Sequence, residues 1–416
     1  MEKKILAALE LADHEVRLIV GQFYNGRLNI LKVERVAHKG IENNKIINNS
    51  SIREAILKSI ANASKNIGSQ ITSVLMLVPS IGMVMNHDLQ TTLIDEYVTK
   101  EDLINVYSEF GKNSYGKDKV MVNVSVNRYH INGIATRKLP LNERCHTMSV
   151  EASCFFCDTE PIFEYLKLVE STGLKIIDIV LHDLALAKEA SLFEHSIEKP
   201  IIAVNLERHS TKLTLFNKGQ LITNVIVEDS FKRMFEKMEY LYGFNEDITE
   251  RLLYYNLDVS SDEASEDPIF VWSTKSGDHS LSKKELLDYI GPDVIKILEN
   301  ISEVSQPIFE YGDASFVLTG EASLVTGLKT VMESVSSKKV DVYIPTTFGV
   351  KDPVFTALIG AFYYYKDIVN FKEASSSSID EKEFYQKMIY KEKENTEISK
   401  SGSANFTKLL KDLFVE

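Results

Sequence analysis

Residues 4–36 read KILAALELADHEVRLIVGQFYNGRLNILKVERV, and this stretch decides the fold. Residues 4–11 form a short, almost wholly apolar run, as expected of a buried strand. Residues 16–20 and 28–36 are two further strand-like runs. Tyr24-Asn25-Gly26 joins them, and Asn-Gly between apolar runs is a strong hairpin signal. Beyond them Ile52, Ala55, Ile56, Ile60 and Ala63 recur at helical spacing, Gly68 ends the helix, and residues 71–78 return as a buried strand. Strand, hairpin, helix and strand together open an α/β domain.

Working outward, the same opening recurs after Pro200. Residues 201–206 and 212–217 read as strands, and Gly219 turns the chain into 221–227. An acidic, helical stretch follows at 228–311, with helix candidates at 231–242 and 247–257 and a loop at 260–267. Residues 315–318 and 340–344 read as strands and 353–365 as a buried helix. Between the two openings, residues 84–170 have another texture. Thr99 and Asp102 have capping-box spacing for a helix through Phe110. Val120, Val122, Val124 and Val126 alternate with Met121, Asn123, Ser125 and Asn127, the pattern of a half-buried strand. Residues 148–157 are another strand, and 160–172 a helix stopped by Gly173. This block is an α+β unit inserted into the first lobe. The plan is therefore 1–83 with 171–199 as lobe 1, 84–170 as the insertion, 200–222 with 312–371 as lobe 2, and 223–311 as a lobe 2 subdomain.

Composition narrows the function. The chain has 416 residues, with 47 Lys and Arg against 60 Asp and Glu and a net charge of −13. That acidity argues against nucleic-acid partners, which need surplus Lys and Arg. Three cysteines fit a reducing compartment better than a disulfide scaffold. The apolar run at 5–9 is too short for a signal-peptide core, and no run approaches the ~18–20 residues of a spanning helix.

Several motifs drop out. Gly111-Lys112-Asn113-Ser114-Tyr115-Gly116-Lys117 nearly matches a phosphate loop, but Asp118 follows, and the run lies after a helix and before a strand, the reverse of what that loop requires. Cys154 and Cys157 sit on a strand, where positions three apart face opposite ways, so both belong to packing. The histidines make no metal-ligand motif, and no nucleophile motif is present. The carboxyl end is different. Residues 372–403 are low in apolar content and read as a flexible linker; within it, Phe384, Tyr385, Met388 and Ile389 are candidates for a docked turn. In 404–416, Phe406, Leu409, Leu410, Leu413 and Phe414 fall at i, i+3, i+4, i+7 and i+8, one apolar helix face. Such a face suits a membrane surface or a partner.

The order of parts resembles the actin/Hsp70/sugar-kinase superfamily and, within it, FtsA, the actin-like cell-division protein of bacteria, over nearly the whole chain. The matching parts are the inserted block, Val317-Leu318-Thr319-Gly320 with residues 353–360, and the tethered terminal helix. The resemblance implies an α/β, two-lobed actin/Hsp70-like ATPase fold with the FtsA-type inserted subdomain and a C-terminal amphipathic helix. It implies FtsZ, the inner leaflet of the cytoplasmic membrane and further copies of the chain as partners, the last in polymers. It also implies 223–311 as the receiver of the FtsZ tail, and a place on the cytoplasmic face of the membrane at the division site. It places ATP and Mg at Glu10, Ala12, Asn205, Ser210 and Gly320.

The departures lie in that site. Where the superfamily has an Asp-x-Gly-Thr loop, this chain has Glu10-Leu11-Ala12-Asp13-His14. Where a second glycine-rich loop is usual, it has Asn205-Leu206-Glu207-Arg208-His209-Ser210, and the later glycine pair is Gly320-Glu321. Lost glycines remove close backbone approach to phosphate, and Glu207 brings a carboxylate to it. Arg208 is a candidate replacement donor. The expectation is a non-catalytic scaffold with weakened or lost ATP binding. The alternatives are a PilM-like pilus-assembly protein and a phosphotransferase of the same superfamily.

Overall fold

The computed structural model describes residues 4–112, 115–116, 118–227, 229–261, 263–275, 277–310, 312–372 and 376–386. The amphipathic segment at 404–416, with Phe406, Leu409, Leu410, Leu413 and Phe414, lies outside the described residues.

Lobe 1 opens with an antiparallel meander of β1 (Ile5–Leu11), β2 (Glu15–Tyr24) and β3 (Arg27–Ala37). Asn25 and Gly26 make its turn at φ 50 and φ 76, a backbone that Asn-Gly adopts readily. A small hairpin of β4 (Ile41–Glu42) and β5 (Lys45–Ile46) leads to α1 (Asn49–Ile67), and β6 (Ser73–Val78) then lies parallel to β1. The Asn48 side chain caps α1 by accepting from Ser51 N–H, and Gly68 closes it at φ 74.

The insertion contains β7 (Val84–Leu93), α2 (Lys100–Glu109), β8 (Lys119–Ile131), β9 (Ile134–Thr136) and β10 (Thr147–Asp158), in an antiparallel sheet of order β7-β10-β8-β9. Thr99 and Asp102 form the expected capping box. The alternation expected along β8 does not appear in its burial: residues 119–122 and 125–127 are all half-buried, and the adjacent Asn123 and Val124 are buried. Asn123 is buried, its Nδ2 donating to Ile179 O and its Oδ1 accepting from Leu181 N–H, both at 2.8 Å. That side chain ties the insertion to β11 (Lys175–Leu181). The next helix, α3 (Thr159–Glu170), buries Ile162, Tyr165, Leu168 and Val169 and packs on α1, β6 and β11 as well as β10. It leans on lobe 1, so the insertion's own layer is narrower than 84–170. Helices α4 (His182–Glu189) and α5 (Leu192–His195) complete lobe 1.

Lobe 2 repeats the scheme. β12 (Ile201–Leu206), β13 (Thr211–Asn217) and β14 (Gln220–Val227) form a second antiparallel meander. Its subdomain holds α6 (Lys232–Tyr242), α7 (Glu246–Tyr255), the hairpin β15 (Pro268–Thr274) and β16 (Gly277–Ser282), and α8 (Lys283–Phe309). The hairpin falls where only helix was expected. Phe270 and Trp272 hold it, packing edge-on against Phe244. β17 (Ser315–Thr319), α9 (Leu328–Ser336) and β18 (Val340–Val342) finish the sheet. The two five-stranded sheets have the orders β11-β6-β1-β2-β3 and β18-β17-β12-β13-β14, in each an antiparallel meander extended by two parallel strands.

Two expectations change at the carboxyl end. Residues 353–371 were assigned to lobe 2, but α10 (Thr356–Ile368) lies along α4 and on β1, β2 and β6 of lobe 1. Gly360 permits this, because a Cβ there would stand 1.7 Å from Ala185 O. The linker expected from 372 is docked over 376–386. Ser378 is fully buried; its N–H donates to Ile5 O (2.8 Å), its hydroxyl accepts from Ala7 N–H (2.7 Å) and its carbonyl accepts from Thr72 N–H (2.9 Å). Serine satisfies backbone groups at the sheet's end, an affinity that low apolar content conceals. Ile379 and Phe384 are buried beside it. Among the described residues, no helix is long and apolar enough to cross a membrane.

Candidate functional site

The β1–β2 and β12–β13 hairpins are equivalent, and their tips meet between the lobes. Each tip spans four residues between paired ends, Leu11 with Val16 and Leu206 with Thr211. Each is closed by the same hydrogen bond: Ala12 N–H donates to Glu15 O (3.0 Å), and Glu207 N–H donates to Ser210 O (2.9 Å). In a glycine-rich phosphate loop such N–H groups face the anion. Here the turn takes one such N–H in each tip, Glu321 takes that of Arg208, and no residue of either tip has positive φ.

Guanidinium groups and carboxylates fill the space between the tips. Arg17 is 1% exposed. Its Nε donates to Glu15 and its Nη2 to Glu207, each at 2.6 Å, and Nη1 stands 3.5 Å from Glu10. Arg35 reaches Glu15 at 2.8 Å, Glu250 at 3.1 Å and Glu321 at 3.3 Å. Arg208 binds Glu250 at 2.5 Å and Glu246 at 3.1 Å, its N–H donates to Glu321 Oε1 at 2.8 Å, and its guanidinium lies 4.2 Å from the Phe235 ring centroid. Arg17 and Arg35 belong to lobe 1, whereas Glu207, Glu250 and Glu321 belong to lobe 2, so these pairs fasten one lobe to the other. Burial alone would raise the Glu15 carboxyl, but Arg17, His14 and Arg35 bring it down to about 2. Glu321 is likewise held well below the usual range by His14, Arg17 and Arg208, against its burial. At Glu207 burial prevails over Arg17 and pushes the carboxyl up.

The histidines complete the seam. His14 Nε2 stands 3.5 Å from Glu321 Oε1 and 3.7 Å from Glu15 Oε1 and has no hydrogen-bond partner. His209, at the equivalent position of the other tip, brings its ring centroid to 5.5 Å from that of His14. Behind them Asp183 of α4 accepts from Asn224 Nδ2 (2.6 Å) and faces Lys212 Nζ (3.5 Å) across the lobes.

Of the residues expected at a nucleotide site, Glu10, Ala12, Asn205 and Ser210 do come together. They line a cavity of about 50 Å³. Gly320 is not on its wall. At φ 87 it packs against lobe 2, where a Cβ would stand 2.6 Å from both Asn205 Oδ1 and Leu206 O. A wider cleft of about 720 Å³ opens next to the cavity, between the β4–β5 hairpin and α6–α7.

This duplicated sheet with a central cleft is shared by solved structures of the actin-like class. A chain of the PilM–PilN type IV pilus biogenesis complex superposes with a TM-score of 0.56 at 10% identity, covering 88% of this chain and 98% of that one. MreB5 of Spiroplasma citri bound to ADP gives 0.51 at 11% identity over 90% of this chain and 100% of its own. No model of a known protein family matches. In sequence, cell division protein FtsA of Staphylococcus epidermidis is 22% identical over 417 aligned positions, 97% of this chain and 88% of that protein. The chain is similar to FtsA over nearly its whole length. FtsA of Bacillus subtilis is also 22% identical, over 87% of this chain and 83% of its own.

Relative to the FtsA-based expectation, the residues that sequence reasoning missed are Arg17, Arg35, Glu250 and His14. A signal existed. Glu10 interrupts an otherwise apolar strand, its register partner Arg17 stands between Val16 and Leu18, and Leu11-Ala12-Asp13-His14 is echoed by Leu206-Glu207-Arg208-His209.

Proposed function

We propose that this chain is an FtsA-type adaptor of bacterial cell division that works without nucleotide. It would tether FtsZ filaments to the inner leaflet of the cytoplasmic membrane at the division site and self-associate as an actin-like polymer. The observation that carries this reading is the alignment with FtsA along 97% of the chain. The apolar set Phe406, Leu409, Leu410, Leu413 and Phe414 is the proposed membrane contact, and residues 223–311 the proposed seat of the FtsZ tail.

ATP and Mg do not fit the residues now between the lobes. The cavity that the expected residues line is about 50 Å³, small beside the ~300–1,000 Å³ typical of ligand pockets, and the adjoining cleft of about 720 Å³ is rimmed by Asp13, Glu42, Glu236, Glu239, Glu246 and Asp247. Glu10 and Glu207 supply carboxylates to it, where phosphate oxygens would be repelled. Arg17, Arg35, Arg208 and Lys212, cations that could bind phosphate, already face carboxylates. In this reading the lobes are joined by side chains instead of a bound nucleotide.

The test is co-sedimentation of FtsZ filaments with lipid vesicles and the full chain, without ATP. The chain should carry FtsZ into the pellet, and Leu409→Glu and Phe414→Glu should leave FtsZ in the supernatant. Vesicle binding that survives both substitutions would remove the helix as anchor. FtsZ left behind by a vesicle-bound wild-type chain would defeat the adaptor reading. A PilM-like role is the second reading, favoured by the TM-score of 0.56; it predicts no FtsZ in the pellet.

A further inference from the structure

We propose that His14, Glu15 and Glu321 form a site for a zinc-class divalent cation that bridges the two lobes. The three residues come from two elements: His14 and Glu15 from the β1–β2 hairpin of lobe 1, and Glu321 from the turn after β17 of lobe 2. Their ligand atoms all lie within 4.8 Å of one another, and all three residues are buried.

The spacing is the first argument. A histidine hydrogen-bonded to a carboxylate would sit about 2.7–3.0 Å from it. His14 Nε2 is instead 3.5 Å and 3.7 Å from the two carboxylate oxygens. Two ligands on one tetrahedral ion, each ~2.0–2.2 Å from the metal, are about 3.3–3.6 Å apart. The observed separations are close to the edges of a coordination polyhedron and too long for direct hydrogen bonds. His14 is 6% exposed, and its Nε2 has no hydrogen-bond partner. A buried imidazole nitrogen with no hydrogen-bond partner is costly, and a metal ion would take the place of the proton that otherwise faces the two carboxylates.

Charge is the second argument. At this seam the carboxylates of Glu10, Glu15, Asp183, Glu250 and Glu321 outnumber the cations Arg17, Arg35, Arg208 and Lys212. A divalent cation beside Glu15 and Glu321 offsets the surplus. The outer contacts of a metal site are also in place. Arg35 holds the other oxygen of each carboxylate, Glu15 Oε2 at 2.8 Å and Glu321 Oε2 at 3.3 Å, as outer partners do for ligands elsewhere. One imidazole with two carboxylates suits zinc and similar transition ions; magnesium and calcium prefer oxygen alone.

The experiment uses the full chain, stripped with chelator, dialysed free of metal and titrated separately with Zn²⁺ and with Co²⁺. One equivalent should bind, Co²⁺ should show the visible absorption of a tetrahedral centre, and Zn²⁺ should raise the melting temperature. His14→Gln should weaken binding at least tenfold and abolish the thermal shift while the chain stays folded by circular dichroism. His195→Gln, at an exposed position outside the cleft, should bind like wild type. Because Glu321→Gln also disturbs Arg35 and Arg208, His14→Gln and the wild-type cobalt spectrum decide the matter. No tetrahedral cobalt band in the wild type, or an undiminished band in folded His14→Gln, would overturn the proposal.

Discussion

Arg17 and Lys212 occupy the same register position in two equivalent hairpins: Arg17 pairs with Glu10 across β1–β2, and Lys212 with Asn205 across β12–β13. Each sends its charge into the opposite lobe, Arg17 to Glu207 at 2.6 Å and Lys212 to Asp183 at 3.5 Å. The exchange is reciprocal. Each lobe lends the other a cation from the second strand of its sheet, and neither cation can leave without stranding a buried carboxylate.

Replacing Arg17 with Met should therefore be severe. It leaves Glu10, Glu15 and Glu207 buried around an absent charge, and breaking a buried ion pair by removing one partner typically costs about 3–5 kcal/mol. Urea unfolding of the variant should show an unfolding free energy lower by about that amount. A loss under ~1 kcal/mol would mean that water already screens the pair.

Nucleotide should find no purchase. Isothermal titration with ATP and Mg²⁺ should give no low-micromolar affinity, that is, no binding near −8 kcal/mol. Glu207→Gly alone should not restore it, because Arg17 and Glu10 still occupy the cavity wall. Micromolar binding by the wild type would refute the nucleotide-free reading.

Acid should weaken the chelator-treated protein in two stages. Burial, with His14 nearby, lowers His38 from 6.5 to about 4, against opposing pulls from Ala12 and Glu15. Its Nδ1 accepts from Gly40 N–H at 3.1 Å and cannot do so once protonated. The folded state thus holds fewer protons than the unfolded chain below pH 6.5, and stability falls as pH drops from 6.5 towards 4. Glu15, at about 2 against an ordinary 4.5, adds a second loss from 4.5 towards 2. Urea midpoints across this range should show both, and His38→Asn should reduce the upper one, to which His209, lowered by burial to about 4, contributes as well.

Gly360→Ala should also destabilise. Its methyl group would meet backbone at 1.7 Å, so α10 must move off α4, at a cost of roughly 3 kcal/mol, the upper end for an overpacked core. A melting temperature unchanged from wild type would show that the two helices can separate freely.

Much of this architecture is legible in the sequence, for local reasons. Asn25-Gly26, Gly68 and the Thr99–Asp102 box act within a few residues, and their elements stand where the spacing puts them. The seam is different. Arg17 and Glu207 are 190 positions apart, and a charge in an apolar strand says only that it is buried, not against what. The course of α10 is hidden too. A helix apolar all round announces burial without saying in which lobe, and Gly360 explains the contact only once Ala185 is known to face it. The β15–β16 hairpin escapes because Phe270 and Trp272 are two aromatics in a polar stretch, and their partner Phe244 lies far back in the chain.

The docked segment at 376–386 acts as a strain relief. Ser378 is bonded to Ile5 and Ala7 on β1 and to Thr72 just before β6. Traction arriving from beyond residue 386 must strip these bonds, held by two separate stretches of lobe 1, before it can tug on α10. The load path ends in one lobe's sheet, so a pull on the tail would drag the whole body without prising open the cleft.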